Sequence, residues 1–271
     1  MSTYSPKYFY TTDSWDESDW LDIVSVEYEL LVLTYPFDTK LRERSDGGQL
    51  RILDVGCGSA IFPQFLDGTL QDGIHLTCDL LDVSERSLEQ AHEVLTQLEH
   101  FTSGRNFATL IEDIPEALPL SATAYDAIWA VHSLTTVDVD RMPAVFGHLL
   151  QLLSDDGQLL IYQLTADSSY QALHQIYREQ VSNEVLPYME FEDTKRILEK
   201  FPVEYEVVEL NFDHELPLNQ PDLVEHYLRK CVLDETIDAL RMFGDVLPGF
   251  ERDGLYRLPQ SVNLISVKKM R

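Results

Sequence analysis

The stretch LDVGCGSA, residues 53–60, ends an apolar run with a loop that contains two glycines. Gly56 and Gly58 can adopt positive φ and have no Cβ, so the backbone of this loop can approach a ligand closely. Asp54 stands just before the first glycine, where a carboxylate would repel a pyrophosphate and attract a cation. A dinucleotide fingerprint, GxGxxG, would also need a glycine at the position of Ile61. The loop therefore favours a cationic ligand over a dinucleotide.

Acidic residues after the next strands extend this pattern. In CDLLDVSERS, Asp82 stands before a helix start and is the expected partner of ribose hydroxyls, with Asp79 as the alternative. In LIEDIPEALPL, we expect Asp113 to accept a hydrogen bond from an adenine amino group and Ile114 to lie against the ring. S-adenosylmethionine combines an ammonium, a sulfonium, a ribose and an adenine, and is the expected cofactor. Three neighbours complete the predicted binding residues: Cys57, Val83 and Val131.

The sequence that must position these residues alternates short apolar runs with helical periods. From residue 51 onward the alternation is typical of βαβ units, and therefore of an α/β fold with a parallel sheet. Ser84 is the expected N-cap of a helix over 84–101. Ligands of such sheets bind at the carboxyl ends of the strands. The predicted strands are 51–55, 73–81, 106–113, 125–134 and 157–165, followed by a late pair at 203–212 and 261–269 that suggests an antiparallel edge.

The same pattern predicts four parts of the chain. Residues 1–48 are expected to form a cap that contributes to the substrate site, and residues 49–212 the cofactor-binding core. Residues 213–258 are predicted to be a helical insertion that forms a substrate lobe. Residues 259–271 supply the last strand of the core.

Four motifs within residues 49–165 resemble those of class I S-adenosylmethionine-dependent methyltransferases: LDVGCGSA, LLDVSERSLEQA, YDAIWAVHSL and LLSDDGQLLIYQL. The resemblance implies a Rossmann-like fold: a seven-stranded, mostly parallel sheet with an antiparallel last strand and helices on both faces. It also implies methyl transfer from S-adenosylmethionine. One departure is Ala60, where many members of the family have a third glycine.

A second resemblance concerns the C-terminal part. VEHYLRKCVLDETIDAL, ERDGLYRLPQSVNLISVKK and HSLTTV are similar in order and spacing to histamine N-methyltransferase-like enzymes. This implies N-methylation of a small amine, with His132 close to the methyl donor and Gln260 near the amine. The acidic residue with which that family binds the amine does not align with a single position, so Asp13, Asp16 and Glu17 are all candidates.

The N-terminal residues also favour a cationic amine or guanidine as substrate. Seven acidic residues lie between Asp13 and Glu29, whereas Lys7 is the one basic residue before position 30. A cation over an aromatic ring gains about 0.5–2 kcal/mol. Several aromatic side chains of this segment offer such a ring, and Tyr10 and Trp20 are the predicted substrate contacts among Tyr8, Phe9, Tyr10, Trp15 and Trp20.

Methyl transfer to an amine is a direct displacement, so much of the catalysis can come from alignment, with effective molarities of about 10⁵ M or more. The attacking amine must be neutral, and His132 is the candidate catalytic residue that takes its proton. Three other functions are compatible with the residues. They are O- or C-methylation of a natural-product intermediate, S-adenosylmethionine binding without catalysis, and NAD-dependent oxidation.

Composition limits the partners. Forty-seven acidic and twenty basic residues give a formal charge of −27, which repels nucleic acids and anionic membranes. Three cysteines without a CxxC pair predict neither a disulfide framework nor a metal site. The chain shows no signal-peptide pattern and no apolar run of membrane-spanning length, which predicts a cytoplasmic protein. We expect a monomer or homodimer that acts on a small molecule.

Overall fold

The structure is a computed structural model that describes Phe9 and residues 17–45, 48–120, 124–181 and 185–270. Its centre is one sheet in the order β3-β2-β1-β4-β5-β8-β6. The neighbours among the first five strands are parallel, and β8 is antiparallel to both β5 and β6. The strands are β1 (Gln49–Val55), β2 (His75–Asp82), β3 (Phe101–Ala108), β4 (Tyr125–Val131), β5 (Leu153–Leu164), β6 (Val203–Pro217), β7 (Glu251–Arg252) and β8 (Leu255–Lys269).

This order confirms the predicted fold, a mostly parallel sheet of seven main strands whose last strand is antiparallel. The additional β7 has two residues and pairs only with β8 in the described chain. Helices cover both faces of the sheet, as expected. They are α1 (Glu17–Thr34), α2 (Phe37–Ser45), α3 (Ile61–Asp67), α4 (Glu85–Leu95), α5 (Ile114–Ala117), α6 (Met142–Leu152), α7 (Ser169–Val181), α8 (Phe191–Leu198), α9 (Pro221–Val232) and α10 (Ala239–Met242).

The core consists of two apolar layers, one on each face of the sheet. Successive strand residues point to opposite faces, so Ile52 packs into one layer and Leu53 into the other. Both side chains are fully buried. A strand buried on both faces reads as a continuous apolar run, which is why β1 was visible in the sequence.

The edge of the sheet differs from its prediction. Helix α4 begins after Ser84, whose hydroxyl accepts a hydrogen bond from Ser87 N at 3.2 Å, as expected, but it ends at Leu95. Strand β3 then runs over 101–108, whereas the sequence predicted 106–113. The reason is that β3 is an edge strand with half-exposed polar residues, so it lacks the apolar run that marks the inner strands.

The segment between β6 and β8 contains the helices α9 and α10. Strand β6 continues to Pro217 and β8 begins at Leu255, so the predicted divisions at residues 213 and 258 fall inside strands. Within the described ranges, no helix combines the length and apolar composition needed to cross a bilayer. No group of three or more His, Cys, Asp or Glu side chains in the same ranges is arranged to hold a metal ion.

Candidate active site

A cavity of about 380 Å³ lies at the carboxyl ends of the parallel strands. The loops that follow β1, β2, β3 and β4 line it, together with residues of α1, β6 and α9. These loops meet because parallel strands end at the same edge of the sheet. The volume lies within the range of about 300–1,000 Å³ found for small-molecule sites.

The glycine loop after β1 forms part of the cavity wall. Gly56 and Gly58 have φ values of 69° and 51°, the left-handed region that favours glycine. The backbone N–H groups of Gly56 and Cys57 both donate to the carbonyl of Leu81, at 2.7 and 3.0 Å, which ties the loop to the end of β2. Ala60 also has a positive φ, 62°. The missing third glycine is therefore replaced by a residue that takes up the same backbone conformation.

Asp54 lies at the base of the cavity and is 3% exposed. Burial, and to a smaller extent the nearby charge of Asp82, raise the pKa of its carboxyl from 3.8 to about 7. A carboxylate in this position is stabilised by a cation. Cys57 lines the same wall, and burial raises the pKa of its thiol, which keeps it uncharged at neutral pH.

Asp82 lines the cavity at the end of β2, at the position predicted for the ribose partner. Its Oδ2 accepts from Gly58 N at 3.0 Å and its Oδ1 accepts from Ser84 N at 2.9 Å. Each carboxylate oxygen can accept more than one hydrogen bond, so both can still accept from ribose hydroxyls. Val83, the next residue, also lies in the wall.

Asp79, the alternative, is placed elsewhere. Its fully buried carboxylate accepts hydrogen bonds from Arg51, Arg105 and Tyr125, at 2.7–3.1 Å. Burial raises the pKa of Asp79, but these hydrogen bonds outweigh burial and hold the pKa below its usual value. A Cβ at Gly104 would come within 2.2 Å of Asp79 Oδ1, so glycine on β3 leaves room for the carboxylate. Asp79 therefore joins β2 to its neighbours.

The turn after β3 places different residues in the wall from those expected. Ile111 and Glu112 line the cavity. Asp113 is 45% exposed and pairs with Arg141 at 3.0 Å, and Ile114 is fully buried in a core layer. Because β3 ends at residue 108 and a 3₁₀ turn follows at Ile111–Asp113, successive side chains rotate by about 120°. The acid that lines the cavity is consequently Glu112, the residue before Asp113.

His132 follows β4 and lines the cavity beside Val131. Its φ is 55°, a value that a residue with a Cβ adopts only when its surroundings impose it. The surroundings do so here, because its N–H donates to the carbonyl of Tyr162 at 2.9 Å. The imidazole is held edge-on between Tyr162 and Tyr28, with ring centroids 4.6 and 6.2 Å away.

Glu27, on α1, brings a carboxylate to the same place. It is 4% exposed and lines the cavity. Its Oε2 lies 3.1 Å from His132 Nε2 and 3.6 Å from His214 Nε2. Burial raises the pKa of Glu27, but the two imidazoles outweigh burial and lower it to about 2. Glu27 is therefore ionised at neutral pH.

Comparison with known proteins decides the class of this site. A family model described as a methyltransferase domain matches residues 31–209 of the 271. The chain belongs to this methyltransferase family. A search of curated proteins finds no significant match.

Solved structures share the fold of the methyltransferase. YcgJ from Bacillus subtilis has a TM-score of 0.53 at 14% identity, over 91% of this chain and 100% of its own. The plantazolicin methyltransferase BpumL, solved with SAH, has a TM-score of 0.52 at 13% identity, over 98% and 94%. Magnesium protoporphyrin IX methyltransferase from Synechocystis PCC 6803, also solved with SAH, has a TM-score of 0.51 at 12% identity, over 97% and 92%.

The cavity of the methyltransferase fits S-adenosylmethionine, the cofactor expected from the sequence. Asp54 is a buried acid whose pKa is raised by burial and by the charge of Asp82, and the cofactor carries an ammonium and a sulfonium. Asp82 presents carboxylate oxygens next to a glycine loop that lets a ligand approach the backbone. The donor set is thus that of a cationic nucleoside site.

The remaining predicted substrate residues fall into two groups. Gln260, on β8, is buried and lines the cavity of the methyltransferase. Tyr10, Asp13 and Asp16 lie outside the described residues, and so do the side chains of Glu17 and Trp20, whose backbone begins α1. Phe9 is described, and its buried ring lies 5.3 Å from Nζ of Lys230.

Sequence reasoning missed three residues of the cavity with acidic or basic side chains, Glu27, His214 and Lys230. A signal existed for the first, because Glu27 falls on the buried stripe of α1 between Val24 and Leu31, where a lone acid is costly unless it has partners. His214 follows the predicted end of its strand at 212. Since β6 extends to Pro217, His214 is an inward-facing strand residue.

The two acids of β2 provide a test of these assignments. We expect Asp82→Ala to weaken S-adenosylmethionine binding at least about tenfold, a loss of about 1.4 kcal/mol, because it removes the ribose acceptor. Asp79→Asn should instead lower the free energy of unfolding by about 2–3 kcal/mol, because two arginines lose a buried carboxylate. Calorimetric titration and denaturant unfolding measure the two effects. Unchanged cofactor affinity in Asp82→Ala would contradict the assignment.

Proposed function

We propose that this methyltransferase transfers a methyl group to the nitrogen of a small cationic amine or guanidine. The observation that carries the proposal is Glu27, an ionised carboxylate buried in the cavity wall. The two imidazoles reach only Oε2, and a buried carboxylate gains further from a cation at its other oxygen. The likeness to histamine N-methyltransferase-like enzymes in the C-terminal part points the same way.

The charge of the whole cavity supports a cationic acceptor. Four carboxylates line it, on Glu27, Asp54, Asp82 and Glu112, whereas Lys230 is the one lysine or arginine among the lining residues that the structure describes. Asp54 faces the cation of the cofactor. Glu27 lies in α1, in the wall of the same cavity, and is available to a second cation.

Glu27 has one oxygen to offer an acceptor. Both imidazoles approach Oε2, and no hydrogen bond or ion pair within the described part of the chain reaches Oε1. We assign Oε1 to the substrate ammonium. Tyr28 lies beside Glu27 in the wall, and its ring adds an aromatic face for the same cation.

The cofactor residues follow from the cavity wall. Asp54 holds the ammonium of the cofactor, Asp82 accepts from the ribose hydroxyls, and Val83 packs near the nucleoside. Ile111 and Glu112 take the adenine roles that the sequence assigned to Ile114 and Asp113. The remaining predicted contacts, Gly56, Cys57, Gly58 and Val131, also line the cavity.

The bound cofactor supplies an electrophilic methyl group on a positively charged sulfur. The chain must then present a neutral nitrogen in line with it. Glu27 binds the acceptor as an ammonium, and His132 takes one proton from it, which frees the lone pair that attacks the methyl carbon. The electron pair of the broken carbon–sulfur bond stays on sulfur. The product is a methylated ammonium, and the proton leaves from His132.

A second candidate is O-methylation of a small hydroxyl or phenol. The contact between His132 and Glu27 favours it, because a carboxylate that orients an imidazole is the usual arrangement for a general base. In that case Glu27 would support the base without binding a cation.

A substrate screen tests the choice. The protein is incubated with methyl-labelled S-adenosylmethionine and a panel of small amines, guanidines, phenols and carboxylic acids, and products are detected by mass spectrometry. We expect labelled N-methyl amines or guanidines. Turnover of neutral phenols or acids without turnover of amines would overturn the proposal in favour of O-methylation.

A further inference from the structure

A network of buried, hydrogen-bonded side chains leads away from Glu27. His214 Nδ1 lies 2.8 Å from the hydroxyl of Tyr227, on α9. That hydroxyl lies 3.4 Å from the amide nitrogen of Gln260, on β8, and Gln260 Oε1 in turn accepts from the hydroxyl of Ser168. All four side chains are buried. This network connects Glu27 of α1 with residues of β6, α9 and β8.

The donor and acceptor of each hydrogen bond in this network can be assigned. Gln260 Oε1 accepts from Ser168, so its amide nitrogen is the donor toward Tyr227 and toward the carbonyl of Leu258 at 3.2 Å. The Tyr227 oxygen accepts that bond and must direct its own proton elsewhere. Burial raises the pKa of Tyr227 well above its ordinary value, so the hydroxyl keeps its proton. Cys231 also contacts this hydroxyl, but sulfur is a weak acceptor.

Nδ1 of His214, 2.8 Å away, is a stronger acceptor than the sulfur of Cys231, and we assign the proton of Tyr227 to it. A neutral imidazole that accepts at Nδ1 carries its proton on Nε2, and His214 Nε2 faces Oε2 of Glu27. His132 Nε2 faces the same oxygen at 3.1 Å. An ionised Glu27 favours a proton on each of these Nε2 atoms. Nδ1 of His132 is then the unprotonated nitrogen, which can act as a base.

We propose that Tyr227 and His214 are positioning residues for the His132–Glu27 pair, which rests on the role of His132 in the proposed function. Tyr227 fixes the tautomer of His214, and His214 contacts the same carboxylate oxygen of Glu27 that His132 contacts. The separation of 3.6 Å between His214 and Glu27 leaves room for this contact to shorten when an acceptor binds. Residues of three elements thereby hold one base.

The direction of the hydrogen bonds can be tested without any ligand. The full chain, labelled with ¹⁵N in its eight histidines, is examined by NMR at pH 8, with His132→Gln and His214→Gln used for assignment. We expect an unprotonated Nδ1 and a protonated Nε2 in His214 of the wild type. A proton on Nδ1 of His214 would overturn the proposal, and this result needs no tyrosine variant.

Coupling to His132 is tested with Tyr227→Phe. It should shift the resonances of both His214 and His132. Tyr177→Phe is the matched control, since it removes another buried hydroxyl, bonded at 2.7 Å to Asp234, and should leave both histidines unchanged. If the His132 resonances are the same in Tyr227→Phe as in the wild type, the positioning role is overturned.

Kinetics separate this proposal from the proposed function. With the amine that the screen turns over best, Tyr227→Phe should lower kcat about tenfold and leave KM for S-adenosylmethionine unchanged. The loss should vanish in a His132→Gln background, because both changes affect one proton transfer. Additive losses would overturn the positioning role. If only another class of acceptor is turned over, the proposed function fails, and the same cycle with that acceptor still tests Tyr227.

Discussion

Replacing Asp54 by asparagine should weaken S-adenosylmethionine binding at least about tenfold and, at the same time, stabilise the protein without its cofactor. The two effects have one cause. Burial and the charge of Asp82 raise the pKa of Asp54 from 3.8 to about 7, so the folded chain resists the ionised carboxylate. The cofactor needs that carboxylate because it brings the compensating positive charge. Asparagine removes both the unfavourable buried charge and the partner of the cofactor's cation.

The sign of the pH dependence follows from the raised pKa. The folded state holds the proton of Asp54 more tightly than the unfolded state does, so the free energy of unfolding should fall as pH rises from about 4 to about 7. Asp54→Asn lacks this loss. At pH 8 the cofactor-free variant should therefore be more stable than the wild type, by up to a few kcal/mol. Denaturant unfolding at pH 5 and pH 8 measures the difference.

Cofactor affinity should show the opposite trend in the wild type. Below pH 7 the carboxyl of Asp54 is protonated and must lose its proton when the cation binds, so affinity should rise with pH up to about 7. In Asp54→Asn this rise should be absent. Calorimetry in buffers of different ionisation enthalpy counts the protons released. Equal affinity and equal proton release in both proteins would contradict the role of Asp54.

The sequence predicted best the part of the site that is built on buried parallel strands. Strands β1, β2 and β4 are apolar on both faces, so their ends could be located, and Asp54, Asp82 and Val131 fall in one cavity. The edge strand could not be located so well. Its polar residues resemble a loop, and the predicted strand ended five residues too late. The sequence therefore predicted Asp113 as the cavity acid, whereas Glu112 lines the cavity.

The acceptor side was harder to predict for a different reason. Glu27 and His214 are 187 positions apart in the chain, and only the packing of α1 over the carboxyl edge of the sheet brings them within 3.6 Å. Neither residue belongs to a motif. What the sequence does show is a charged or titratable side chain at an inward-facing position, once on a helix and once on a strand. That pattern indicates that each side chain has a buried partner, but it does not identify the partner.

Glu27→Gln should abolish most acceptor turnover and leave the cofactor site intact. Glutamine has nearly the same size but no charge, so it removes the partner of the substrate ammonium and of His132. We expect kcat/KM for the best amine of the screen to fall about 10²-fold or more. Affinity for S-adenosylmethionine should change less than about twofold, because the predicted cofactor residues come from the loops after β1, β2 and β3, and no hydrogen bond or ion pair described here joins them to Glu27.

The matched control for this variant is Glu29→Gln, which removes the same charge from an exposed position two residues away on α1. It should retain wild-type turnover, so a loss confined to Glu27→Gln cannot come from the net charge of the helix. Thermal unfolding of both variants checks the fold. Retained amine turnover in a folded Glu27→Gln protein would exclude Glu27 from acceptor recognition. A uniform loss for amines and hydroxyl acceptors alike would place its role in supporting His132, because a base serves both classes and a cation site serves only one.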